Sequence, residues 1–80
     1  MKTVHVRYFA AFREATGTES EQVSTRAGTA AELFRECADR HKSLERFSAS
    51  LVAVNEDLAD WESTIDDGDE ILFFPPVAGG

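Results

Sequence analysis

Only one stretch of this chain has the makings of a long amphipathic helix, and an 80-residue chain must build its fold around it. Thr29 followed three residues later by Glu32 is a capping-box pattern, and Gly28 just before it lets the chain turn. Leu33, Phe34, Cys37, Ala38 and His41 then fall on one stripe, which predicts a helix over Ala30–Lys42. Arg35, Glu36, Asp39 and Arg40 take the opposite, solvated side. Such a stripe has to be covered, and the remaining apolar segments read as strands. Val4 to Phe9 alternates with period two, Val4, Val6 and Tyr8 pointing one way and His5, Arg7 and Phe9 the other. Phe9 is the odd member, an aromatic on the face that ought to be wet. Ala10–Ala15 fits one or two helical turns ended by Thr16-Gly17, and Gln22–Thr25 fits a polar edge strand pairing with the first. Leu51–Val54 is a β-branched run stopped by Asn55-Glu56-Asp57. Leu44 and Phe47 are expected to tuck beneath the sheet, and Leu58, Trp61 and Ile65 lie spaced in an acidic loop. Glu70–Phe74 is a strong strand that Pro75-Pro76 ends, because neither proline can donate to a ladder. Strand, strand, helix, strand, strand describes an α+β fold, a mixed sheet on one helix with the two most apolar strands, first and last, adjacent and central.

Composition narrows the function. Fifteen acidic residues against eight basic ones give a formal charge of -7, which repels phosphates and argues against nucleic acid. The apolar runs are too short for a membrane span, and the alternating start Met1-Lys2-Thr3-Val4-His5 does not read as a secretion signal. One cysteine permits no internal disulfide and fits a reducing cytoplasm. A domain this small has little room for both a core and a deep enclosed active site.

Most side chains with latent chemistry have a plain structural role. Cys37 lies on the apolar stripe and reads as a small buried hydrophobe. His5 and His41 lack metal-ligand spacing, so no metal site is expected. Asp66, Asp67, Asp69 and Glu70 lack the alternating ligands of a calcium loop and fit a hairpin turn. No serine sits in a Gly-x-Ser-x-Gly setting. Alternation in the last strand places Ile71 and Phe73 inward and Leu72 and Phe74 outward. Phe9, Leu58 and Phe74 are then either covered by a loop or part of an apolar docking surface.

The remaining feature is the tail Val77-Ala78-Gly79-Gly80 behind two stiffening prolines. Two glycines without Cβ atoms can thread a narrow channel and present the Gly80 carboxylate. Residues 1–76 are thus expected to form the folded domain and 77–80 a flexible reactive tail. The run Asp67-Gly68-Asp69-Glu70-Ile71-Leu72-Phe73-Phe74-Pro75-Pro76-Val77-Ala78-Gly79-Gly80 resembles the C-terminus of the molybdopterin synthase small subunit, the MoaD family. Tyr8-Phe9-Ala10-Ala11-Phe12-Arg13-Glu14 resembles that family's first strand and short helix, and Ala53-Val54-Asn55 with Leu58 its third strand and turn. The related thiamine sulfur carrier, ThiS, shares the Gly-Gly end but lacks the Phe-Phe-Pro-Pro run.

The resemblance implies a β-grasp (ubiquitin-like) fold and a sulfur carrier that binds no cofactor itself. It implies that a MoeB-like activating enzyme uses ATP to adenylate Gly80, and that sulfur from a persulfide donor protein displaces AMP to leave a thiocarboxylate. A MoaE-like large subunit, in a heterotetramer, would then receive the tail, and two carriers in succession would supply the dithiolene sulfurs of molybdopterin from cyclic pyranopterin monophosphate. Catalytic side chains would belong to that large subunit. The resemblance further implies partner contacts through Phe9, Leu58, Phe74, Pro75 and Pro76. Acidic residues around them would speed encounter with basic partners. Three other readings stand beside it: a thiamine-type sulfur carrier, a ubiquitin-like modifier joined through Gly80 to lysines, and an interaction module whose glycines do nothing.

Overall fold

The period-two alternation at the start of the chain becomes β1 (Lys2–Tyr8), with Val4, Val6 and Tyr8 all buried on one face. The computed structural model describes residues 1–46 and 51–74; Phe47 and the tail from Pro75 to Gly80 lie outside them. After β1 come α1 (Ala11–Thr16), closed by Gly17 at φ 78, and β2 (Ser20–Thr25). Then follow α2 (Ala30–Arg40), a 3₁₀ turn (Lys42–Arg46), β3 (Leu51–Val54), β4 (Asp57–Ala59) and β5 (Glu70–Phe74). The strands form one sheet in the order β2-β1-β5-β3-β4. β1 and β5 run parallel inside it, and every other neighbouring pair is antiparallel. This mixed sheet packed on α2 is the β-grasp arrangement.

Thr29 caps α2 as its sequence requires, its side chain accepting from the Glu32 N–H at 3.3 Å. Glu32 reaches back one residue further than in a simple capping box, to the Gly28 N–H at 2.8 Å. The N–H groups of Ala30 and Ala31 donate to the carbonyls of Ser63 and Trp61. The acidic loop after β4 is thereby tied to the start of the helix, satisfying donors that have no partner within it. Leu33, Cys37, Leu44, Val52, Ile65, Ile71 and Phe73 are fully buried between helix and sheet. Phe73 is the centre of this core: Trp61 stacks on it at 5.9 Å, and Phe34 meets it edge-on at 4.9 Å.

Several expectations change in detail. α2 stops at Arg40, two residues before the expected Lys42, because the 3₁₀ turn that follows swings Leu44 into the core. His41 leaves the apolar stripe and is half-buried, with Nε2 2.9 Å from Glu21 Oε2. Phe34 and Val54 pack against the core without being enclosed by it. The expected first strand ran to Phe9, but the ladder with β2 and β5 ends at Tyr8; the Phe9 carbonyl accepts from the Phe12 N–H to start α1. The sheet, expected to have four or five strands, has five, the additional one, β4, occupying part of what read as loop. The acidic turn closes through the Asp69 N–H and the Asp66 carbonyl, yet joins no hairpin: the chain leaving it pairs parallel with β1.

Candidate functional site

The helix covers one face of the sheet, and the other carries the apolar side chains expected there. Strand pairing sets Leu58 opposite Ala53, Ala53 opposite Leu72, and Leu51 opposite Phe74. Val52, Ile71 and Phe73 point into the core, so period two sends Leu51, Ala53, Leu72 and Phe74 outward. Among the described residues, Leu58, 70% exposed, and Leu51, 48% exposed, are the most open large apolar side chains apart from Met1. Ala53 is small enough to disappear between its neighbours, at 4% exposure.

The parallel register that pairs Tyr8 with Phe73 brings Phe9 beside Phe74 at the end of the sheet. Their rings stack with centroids 5.0 Å apart and an interplanar angle of 6°. Both stay half-buried. Phe9 therefore supports the last described residue before the tail, which explains an aromatic on the wet face. Its neighbour on β1 is polar: Arg7 lies beside Leu72, and its guanidinium is 3.8 Å from the Glu70 carboxylate. The surface is an open apolar row with a charged margin, not an enclosed pocket.

Phe9, Leu58 and Phe74 thus share one face, Phe9 and Phe74 in contact and Leu58 at the far edge strand. Leu51 and Ala53 belong to the same surface and were not among the expected site residues. Alternation within Leu51–Val54 was the signal that could have found them, because it sets both opposite Val52. Pro75, Pro76, Val77, Ala78, Gly79 and Gly80 fall outside the described residues. Chain connectivity alone keeps Gly80 within about 20 Å of Phe74, six residues away.

The other candidates are structural. Cys37 is fully buried, and desolvation pushes its thiol above the ordinary value, which suppresses the nucleophilic thiolate. Beside it, the Tyr8 hydroxyl donates to Glu21 Oε2 at 2.6 Å, and burial first of all raises the tyrosine. No group of three or more metal-ligating side chains occurs among the described residues. None of their helices is long and apolar enough to cross a membrane.

The ThiS family model matches residues 6–80. The molybdopterin synthase sulfur carrier subunit of Escherichia coli is 36% identical, over 96% of this chain and 99% of its own length. Among solved structures, a putative molybdopterin converting factor subunit 1 from Pyrococcus furiosus superposes with a TM-score of 0.86 at 29% identity, covering 96% of this chain and all of its own. A structure from Helicobacter pylori of the complex of subunits 1 and 2 of molybdopterin-converting factor matches with a TM-score of 0.66 at 29% identity, covering 98% of this chain and 99% of its own.

Proposed function

The chain belongs to the ThiS family, among its molybdopterin synthase sulfur carrier subunits, and from that premise we propose that it carries sulfur on the carboxyl group of Gly80 for molybdopterin synthesis. The observation that carries the reading is the extent of the family match, which runs through the Gly79-Gly80 end and not only through the folded domain. A carboxylate is a poor electrophile. Conversion to a mixed anhydride with AMP, at the expense of ATP on a separate activating enzyme, gives it a good leaving group. The outer sulfur of a donor persulfide displaces AMP to give an acyl disulfide. A thiol then cleaves its S–S bond, forming a disulfide with the donor and leaving a thiocarboxylate whose softer, more nucleophilic sulfur attacks the pyranopterin precursor. This chain's own side chains contribute docking: Phe9, Leu58 and Phe74, extended by Leu51, Ala53 and Leu72, form an apolar face at the root of the tail.

Two partners use that face in turn, the activating enzyme and a large subunit. The Helicobacter pylori subunit 1–subunit 2 complex supports the second partnership by similarity. Residues 1–76 act as the handle and 77–80 as the arm that enters each partner's site. The glycines suit that arm because a Cβ at either position would widen it.

The test is reconstitution with activating enzyme, ATP, a sulfur donor and large subunit. The full chain should acquire a mass consistent with one oxygen replaced by sulfur and should support molybdopterin formation. Deleting Gly80, or extending the chain beyond it, should abolish both while leaving thermal unfolding unchanged. A deletion moves the carboxylate by about 3.3–3.6 Å, more than the tolerance of an attack needing atoms about 3–3.5 Å apart. Normal product from the truncated chain would refute the assignment, and conjugation of the full chain to lysines without sulfur transfer would replace it with protein modification.

A further inference from the structure

The two edges of the sheet are not alike. β4 is three residues long, whereas β2 keeps six consecutive pairs with β1 and carries neither proline nor lysine. Proteins ordinarily blunt such an edge with a bulge, a proline, a lysine or an inward-pointing charge; of these β2 has the Glu21 carboxylate, which Tyr8, His41 and Arg40 already engage. The Tyr8 N–H donates to the Glu19 carbonyl, which fixes the alternation of the β1–β2 ladder. Glu21, Val23 and Thr25 turn their main-chain groups toward β1, and Gln22 and Ser24 turn theirs outward. Outside that ladder, the main-chain groups of Gln22 and Ser24 have no hydrogen-bond partner among the described residues.

A surface groove of about 290 Å³ runs beside this edge, lined by Val23 and Ser24 from β2 and by Glu36, Asp39 and Arg40 from α2. Its charges are unevenly committed. Glu36 accepts from the Thr25 hydroxyl at 2.5 Å, and Arg40 lies 3.3 Å from Glu21. Asp39 is exposed and has no partner among the described residues. The groove therefore offers a free carboxylate, a second carboxylate with acceptor capacity to spare, and an apolar floor at Val23, on a molecule whose formal charge is -7.

The geometry points to β2 as a docking site for an extended, lysine- or arginine-bearing segment of a partner protein, added to the sheet as a sixth strand. The main-chain groups of Gln22 and Ser24 would pair with the segment, and alternate side chains would enter the groove with a cation at Asp39. A second copy of this chain fits less well. Its own β2 would bring the Glu21 carboxylate against Asp39 and Glu36. The site is at the opposite edge from Leu58, so a partner here need not displace one on the apolar face.

The test is a titration of the full chain, isotopically labelled, with a blocked octapeptide of alternating valine and lysine. Amide shifts should change saturably over Ser20–Thr25 and Glu36–Arg40, and amide exchange at Gln22 and Ser24 should slow by about fivefold or more. Asp39→Lys, at an exposed position, should weaken binding by about five- to tenfold with the fold intact. Ser24→Pro removes an outward donor without touching the ladder, and should abolish the exchange protection at Gln22, the remaining outward amide; its unchanged amide spectrum elsewhere reports that it folds. The proposal is overturned by shifts confined to Leu58 and Phe74, by no saturable shift, or by equal binding of a valine–glutamate peptide. It is also overturned if protection at Gln22 and Ser24 rises with chain concentration alone, which would assign the edge to a second copy.

Discussion

Glu21 gathers three donors at the end of the core. Oε2 takes the Tyr8 hydroxyl at 2.6 Å and lies 2.9 Å from His41 Nε2, and Oε1 sits 3.3 Å from Arg40. Burial alone would raise this carboxyl, but the hydrogen bonds from Tyr8 and His41 and the Arg40 charge outweigh it and hold the group below its ordinary 4.5. With the folded value below the unfolded one, the ionised carboxylate stabilises the fold at neutral pH. That contribution is lost as pH falls below about 4.5 and through the folded-state value. Glu21→Gln should cost about 1–3 kcal/mol at pH 7 and flatten the acid limb of stability against pH, as read by denaturant titration at several pH values. A second residue-scale prediction concerns the β3–β4 turn. Asn55 and Glu56 both have positive φ, 51° and 75°, where a residue with a Cβ is strained and Asn-Gly is preferred. Glu56→Gly should therefore raise stability by about 0.5–1 kcal/mol in the same denaturation assay.

Among the elements, α2 was the most legible, because its cap and apolar stripe are both local in sequence. Its C-terminal boundary was not: what ends it at Arg40 is the pull of Leu44 into a core assembled from distant strands. Leu33 is fully enclosed on that stripe, so Leu33→Ala should cost about 2–4 kcal/mol in chemical denaturation, and a cost below about 1 kcal/mol would contradict its burial. β4 escaped the sequence reading because three residues cannot show a period. It forms since the tight turn at Asn55-Glu56 returns the chain along β3, where Val52 pairs with Ala59 and Val54 with Asp57. The acidic turn misled in a different way: Asp66 to Asp69 carries good turn chemistry, but turn chemistry does not say which strand the departing chain will meet.

For the molecule as a whole, the outer face and the root of the tail are one feature. Phe74→Ala should weaken affinity for a large subunit by about 1–3 kcal/mol, measured by calorimetry, while leaving the thermal midpoint nearly unchanged, because the ring faces away from the core. Loss of folding with intact affinity per folded molecule would reverse the assignment of strand faces. The sequence by itself determined the order of the strands and helices apart from β4, the inward set Val4, Val6, Leu33, Cys37, Ile71 and Phe73, and the outward direction of Leu72 and Phe74. Each of these depends on periodicity or capping within a dozen residues, where side-chain direction follows from backbone geometry. Only the tertiary structure decided that Phe9 stacks on Phe74, that Leu51 and Ala53 join Leu58 on one surface, and that Glu21 draws His41 off the helix stripe. Phe9 and Phe74, and Glu21 and His41, are tens of positions apart and meet only through the tertiary arrangement, whereas Leu51 and Ala53 reach Leu58 through the β3–β4 pairing that the turn at Asn55-Glu56 creates. A sequence states which way a side chain points; which neighbour it finds there depends on how the strands are arranged.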